Sequence, residues 1–215
     1  MRKFIALFLL LLPGMVLAQA TKEEYAIYSQ YLKNYREETT RPMDFVIRES
    51  TDYARKYDKT AITDIISNLR NYLSGDAAAT SDVTFTYRSF GDSLKKDTTW
   101  LSLVTALDQK MKKQFNLKND FSKSLHTGFL SNSDYAAWFS NPKEHEKAWA
   151  KFHDRYSKSA VMIEFSAIAM AANNQRAVFY YIKSCGSLCA VGYIVFCYKE
   201  NNEWKFIYTL PLWQS

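Results

Sequence analysis

Glycine and proline are scarce in this 215-residue chain, at six and four, which excludes long disordered linkers. Internal repeats and low-complexity tracts are absent too. The sequence contains no Gly-x-Ser-x-Gly elbow, phosphate-binding glycine loop or dinucleotide fingerprint. It also lacks a calcium loop and a paired-cysteine zinc pattern. No catalytic residue, cofactor or metal site is therefore expected. Carboxylates are plentiful, but no glycosidase couple can be singled out, because the separation of such a pair is a property of the fold.

Only the start of the chain carries a long apolar run. Arg2 and Lys3 precede unbroken apolar residues from Phe4 to Leu12, and Pro13-Gly14 interrupt them. Small residues follow at Ala18-Gln19-Ala20, with Val16-Leu17-Ala18 as an alternative cleavage site. A spanning helix needs about 20 apolar residues, so this segment reads as a cleaved secretory signal peptide over residues 1–20. No cysteine lies nearby for lipid attachment, and stable membrane insertion after cleavage is not expected. The expectation is a periplasmic or extracellular protein with one domain over residues 21–215; a break near Gly91 to Asp97 is the alternative. Removing residues 1–20 leaves 26 basic against 22 acidic residues and lowers the formal charge from +6 to +4. The basic residues are scattered, which argues against nucleic acid as a partner.

Aromatic residues are abundant: 15 Tyr, 14 Phe and 5 Trp. Thr21-Lys22-Glu23-Glu24 reads as a capping box, followed by Tyr25, Tyr28, Tyr31, Leu32 and Tyr35 at helical spacing. Phe45 to Ile47 look extended. A second helix spans Thr60 to Leu73, and Val83, Phe85 and Tyr87 alternate as a strand. A third helix runs from Trp100 through Met111 to Phe115, residues Asn116 to Ser133 look turn-like, and Pro142 opens a fourth helix carrying Trp149, Phe152 and Tyr156. From Ala160 the period changes to two. Strands are expected at Val161–Phe165, Arg176–Lys183, Ala190–Lys199 and Glu203–Leu210. Their short connections predict an antiparallel meander. The fold class is thus α+β, with N-terminal helices packed on one face of a C-terminal four-stranded antiparallel meander.

Cys185-Gly186-Ser187-Leu188-Cys189 is the most distinctive local feature. In an oxidising compartment Cys185 and Cys189 can close the loop between two strands as a disulfide; free thiols and redox chemistry are the alternatives. Redox dithiols usually have two intervening residues at a helix start, and here three intervene in a hairpin. Cys197 sits mid-strand as a small buried residue. His145 and His153 lie eight apart on one helix, about 80° around its axis, whereas zinc pairs usually sit three or four apart. Lys110, Lys112, Lys113, Lys118 and Lys123 form a modest basic stretch that reads mainly as a solvated face. Trp204 and Phe206 share one face of the last strand, and Tyr180 is expected to meet them there, in the core or lining a pocket.

Several of these residues also form a pattern. Phe115, Asn119, Leu125 and Phe129 precede Trp149-x-x-Phe152-x-x-x-Tyr156, Phe165-Ser166, Arg176-Ala177-Val178-Phe179-Tyr180, Cys185-Gly186-x-Leu188-Cys189-x-x-Gly192-Tyr193, Trp204 and Trp213-Gln214-Ser215. From near residue 105 onward the chain resembles an uncharacterised family of exported bacterial proteins. That family ends in an antiparallel sheet with a CGxLCxxGY-type loop and a Trp-x-Ser terminus. The resemblance implies a fold and no activity. Relatives often carry an arginine where this chain has Ala167 and a glycine where it has Ala190, so a site built on that arginine is missing here.

The leading expectation is an exported non-catalytic module that binds a small ligand, glycan or partner protein on the concave side of the sheet. One alternative is an envelope hydrolase using scattered residues such as Ser166, His153 or Asp154. The other is an inhibitor or subunit-type interaction protein presenting Tyr25, Tyr28, Tyr31 and Tyr35.

Overall fold

The structure, a computed structural model, describes residues 18–39, 43–51, 59–74 and 94–215. The strand expected at Val83 to Tyr87 and nearly all of the signal segment lie outside these residues. Helix α1, Lys22–Glu38, starts as its sequence dictates: Thr21 Oγ1 accepts from the Glu24 amide, and Glu24 returns the bond to the Thr21 amide. Helices α2, Lys59–Ser74, and α3, Thr98–Met111, follow; Asp97 caps α3 by accepting from the Thr99 amide at 3.0 Å. Helix α4, Asn132–Phe139, is capped by Ser131, and α5, His145–Arg155, follows a short turn opened by Pro142.

The strands are β1, Ala18–Gln19; β2, Asp44–Arg48; β3, Ser50–Thr51; β4, Phe115–Asn116; β5, Gly128–Leu130; β6, Ala160–Phe165; β7, Ala169–Met170; β8, Arg176–Gly186; β9, Cys189–Glu200; and β10, Glu203–Gln214. The fold is α+β. Among the described residues, its main sheet has seven strands, in the order β10-β9-β8-β6-β2-β5 with β7 added along β8. The strands β6, β8, β9 and β10 pair antiparallel in sequence, and two-residue connections join the last three. The β9–β10 connection is Asn201-Asn202, both at positive φ, as a turn matched to the strand twist requires.

Two parts of the expected architecture need correction. The sheet does not stop at the meander: β2 lies parallel to both β6 and β5, with Val46 opposite Met162 and Gly128. Helices also cover both faces rather than one. On the first face, α1 contributes Tyr25, Ile27, Tyr28, Tyr31 and Leu32 to a core with Phe45, Ile47, Ile163, Phe165, Phe179 and Tyr181. On the second, α2 and α3 pack Ile66, Leu69, Val104 and Leu107 onto Val178, Tyr180, Ile182, Ile194 and Phe196. Beside them, α4 and α5 place Phe139, Trp149 and Phe152 on Val46, Ala160 and Met162. The physical reason is in β6 and β8 themselves, which are apolar at both parities and need cover on both sides. The turn-like stretch from Asn116 to Ser133 supplies the parallel strand β5, and Asn132 opens α4. Helix α3 ends at Met111, leaving Phe115 to β4.

One polar pair interrupts the second face. Glu164, fully buried, lies opposite Ile182 and is ion-paired with Arg48 of β2; the Arg48 guanidinium stands 3.6 Å from the centroid of Tyr135. No described helix is long and apolar enough to cross a membrane.

Candidate functional site

The tyrosines of α1 recur every three or four residues, which turns them onto the sheet. Tyr25, Tyr28 and Tyr31 are buried there, so they form no exposed apolar patch. Tyr28 donates to the carbonyl of Ser166, and its ring stacks on Phe165 at 4.3 Å. Toward the C-terminal end of α1 the helix and sheet no longer fill the space between them, leaving a cavity of about 210 Å³. Tyr31, Asn34, Tyr35 and Glu38 line it from the helix side. Tyr181 of β8, Tyr193 of β9, and Phe206 and Thr209 of β10 line it from the sheet.

The ring geometry is well defined. Tyr181 and Tyr193 stack at 5.0 Å and 14°, and Tyr31 meets Phe206 edge-on at 5.1 Å. Three hydroxyls form a chain: Tyr31 Oη lies 2.8 Å from Tyr181 Oη and 3.4 Å from Thr209 Oγ1. Burial pushes the Tyr31 phenol up to about 12 and raises Tyr181 well above its ordinary value, so both hydroxyls stay protonated. Beside the cavity Lys183 donates to Tyr35 Oη at 2.7 Å, its ammonium 5.3 Å from the Tyr35 ring and 5.9 Å from the Tyr193 ring.

The three aromatics expected to meet do not do so. Phe206 lines the cavity. Trp204 lies on the same face but is buried under the start of α1, where its indole N–H and Lys199 Nζ both donate to Glu23 Oε1, at 2.9 and 2.8 Å. Tyr180 belongs to the opposite layer, where Trp213 Nε1 donates to its hydroxyl at 2.7 Å. The β-register is decisive: Tyr180 aligns with Ile194 and Leu210, whereas Phe206 aligns with Cys197 and Ala177.

Cys185 and Cys189 form a disulfide, with their Cα atoms 5.2 Å apart, next to the two-residue turn Ser187-Leu188. The hairpin end is tied to α5: Ser187 Oγ donates to Glu146, and His153 Nε2 lies 3.4 Å from the Cys185 carbonyl. Cys197 is buried, and desolvation pushes its thiol well above the ordinary range, which removes it as a nucleophile.

The residues named for hydrolysis are engaged elsewhere. Ser166 Oγ donates to the Ala167 carbonyl at 2.8 Å and accepts from the Tyr180 amide at 2.9 Å. Both ring nitrogens of His153 face carbonyl oxygens, those of Ser157 and Cys185, and Asp154 is exposed. No group of three His, Cys, Asp or Glu side chains among the described residues could hold a metal ion. In the basic stretch, Lys110 donates to the Ile168 carbonyl and Lys112 pairs with Asp108.

Of the eight lining residues, the sequence places Phe206 in the core or a pocket and Tyr31 and Tyr35 on a candidate interaction surface, and it assigns no site role to Asn34, Glu38, Tyr181, Tyr193 or Thr209. Tyr31 and Tyr35 carry a visible signal, their i, i+4 spacing. The Tyr181–Tyr193 pair does not: counting back from the Ser187-Leu188 turn puts Ile194 opposite Tyr181. A bulge at Cys185, between the Ser184 and Gly186 pairings, shifts the register by one and brings in Tyr193. No family model, curated protein or solved structure matches the chain, so its function has to be read from this geometry.

Proposed function

We propose that the chain is an exported, non-catalytic binding module that takes a small ligand in the tyrosine-lined cleft between α1 and strands β8 to β10. The observation that carries this reading is the cavity itself: open at the exposed Glu38 and Thr209, walled by rings, and furnished with a few convergent polar groups. Its volume is below the ~300–1,000 Å³ of sites for drug-sized molecules, which favours a ligand of one ring. Mapping amide shifts by NMR while titrating a mixture of single-ring compounds tests it. Perturbations should cluster at 31–38, 181–193 and 206–209. Shifts scattered over the surface, or none at all, would overturn the reading.

Export is supported by the composition of residues 1–20 and by the Cys185–Cys189 bridge, a bond that persists in oxidising compartments. Cleavage after Ala20 removes the two-residue strand β1 but leaves α1 capped. The new amine at Thr21 inherits the place of an amide 2.8 Å from the buried Glu24 carboxylate. N-terminal sequencing of the secreted protein should start at Thr21; a cytoplasmic protein retaining Met1 would contradict export.

A further inference from the structure

We infer that the cleft accepts one neutral pyranose ring, a sugar held by its hydroxyls at one end and by its C–H face against the aromatic wall. The inference rests on the cleft being a binding site, and it follows from what the lining groups can and cannot recognise.

Charge comes first. Among the described residues, Glu38 stands exposed at the rim and Lys183 sits at the Tyr35 hydroxyl, so a negative and a positive group both lie beside the cavity. Neither sign of ligand gains without meeting its like. A cationic ligand is further disfavoured, because the Lys183 ammonium, 5.3 Å from the Tyr35 ring centroid and 5.9 Å from that of Tyr193, repels it. The phenols remain neutral, so the hydroxyl chain adds no charge.

The polar groups that remain suit hydroxyls. Either oxygen can donate in the Tyr31–Tyr181 contact and in the Tyr31–Thr209 contact, so the chain can run in both directions. Reversing it changes what Thr209 offers outward: a proton when Thr209 accepts from Tyr31, lone pairs when it donates. Sugar hydroxyls are donors and acceptors in the same way, and the amide of Asn34 provides one function of each kind. The remaining surface, Tyr193, Tyr35 and Phe206, offers apolar ring carbon to the C–H side of a pyranose, with one face of Tyr193 already stacked on Tyr181. A flat aromatic ligand would use only this wall and leave the hydroxyl chain and amide without ligand partners, losing the discriminating half of the site.

The test is saturation-transfer NMR on the processed full chain. The probes are glucose, galactose, mannose and N-acetylglucosamine, each alone and as a β-linked disaccharide, beside indole, choline and benzoate. At least one neutral sugar should receive saturation at its ring protons. Thr209→Val should weaken it about two- to tenfold, the worth of one hydrogen bond. Asn34→Ala, at a half-buried helix position, should do the same without disturbing the fold, and Tyr193→Ala should weaken binding about tenfold or more. A disaccharide that binds more tightly than its monomer identifies the end of a glycan as the source; equal binding identifies the free ring. If indole, choline or benzoate maps to the cleft while every sugar fails, the sugar assignment falls and the binding reading stands. If sugar binding ignores all three substitutions, the assignment falls as well. If no probe perturbs the cleft, both fall.

Discussion

Two side chains meet above Gly192 and leave it no room for a Cβ. A methyl built there would overlap both Trp213 Nε1 and Tyr180 Oη, the two atoms joined by the 2.7 Å hydrogen bond. Gly192→Ala should therefore destabilise the protein by about 1–3 kcal/mol, the usual cost of overpacking, and urea unfolding measures it. Glu23 makes a second residue-scale prediction. The hydrogen bond from Lys199 holds its carboxyl below the ordinary value of 4.5; the Trp204 indole helps, and partial burial opposes. A lowered folded value means that this contribution is complete above about 4.5 and fades as pH falls through the lowered pKa. Urea midpoints followed by tryptophan fluorescence should drop from pH 6 to pH 3, and less steeply in Glu23→Gln. The effect should be small, because Glu23 is partly exposed.

Elements supply the larger energies. The bridge between Cys185 and Cys189 encloses about five residues, which in the chain-entropy account contributes about 2 kcal/mol. Replacing both cysteines with serine should cost about that much in urea unfolding. It should also move the amide signals of Tyr181 and Tyr193, because the bulge at Cys185 sets their register. A loss of stability without such shifts would separate the bridge from the cleft. The junction of β2 and β6 carries the buried Arg48–Glu164 pair, and Arg48→Met removes this cation from a carboxylate that is fully buried. Its expected cost is about 3–5 kcal/mol, with much of it recovered when Glu164→Gln is added. Elements were also the scale at which the sequence was most legible. The Thr21 capping box, the four strands from Ala160 onward and the Asn201-Asn202 turn are local, and local chemistry marks them. The strand β5 was hidden among polar neighbours because three residues are too few to show a period. Phe206 and Tyr208, two apart, look like partners on one face, yet a bulge at the exposed Ile207 sends Tyr208 to the other layer.

At the scale of the molecule, the meander is an incomplete structure. Its first face needs α1 and its second needs α2 and α3, while β2 extends it through β6. Residues 160–215 produced alone should give poorly dispersed NMR spectra, whereas the full chain should not; a folded fragment would show that the helices are dispensable. Much of the cleft lay beyond sequence reasoning for the same reason. Its lining comes from α1 and from strands more than 140 residues later, as in the contact between Tyr31 and Tyr181.

The scarcity of glycine and proline, the apolar start, the wealth of tyrosine, the capped first helix and the C-terminal meander are determined by the sequence itself, because each depends on composition or on neighbours within a few residues. Tertiary structure alone decided which faces the helices cover, that β2 and β5 join in parallel, and that Tyr180 turns away from Phe206 while Tyr193 turns toward Tyr181. Those outcomes depend on register and on pairing between distant segments. A one-residue bulge reverses every side chain beyond it, and composition carries no record of that reversal.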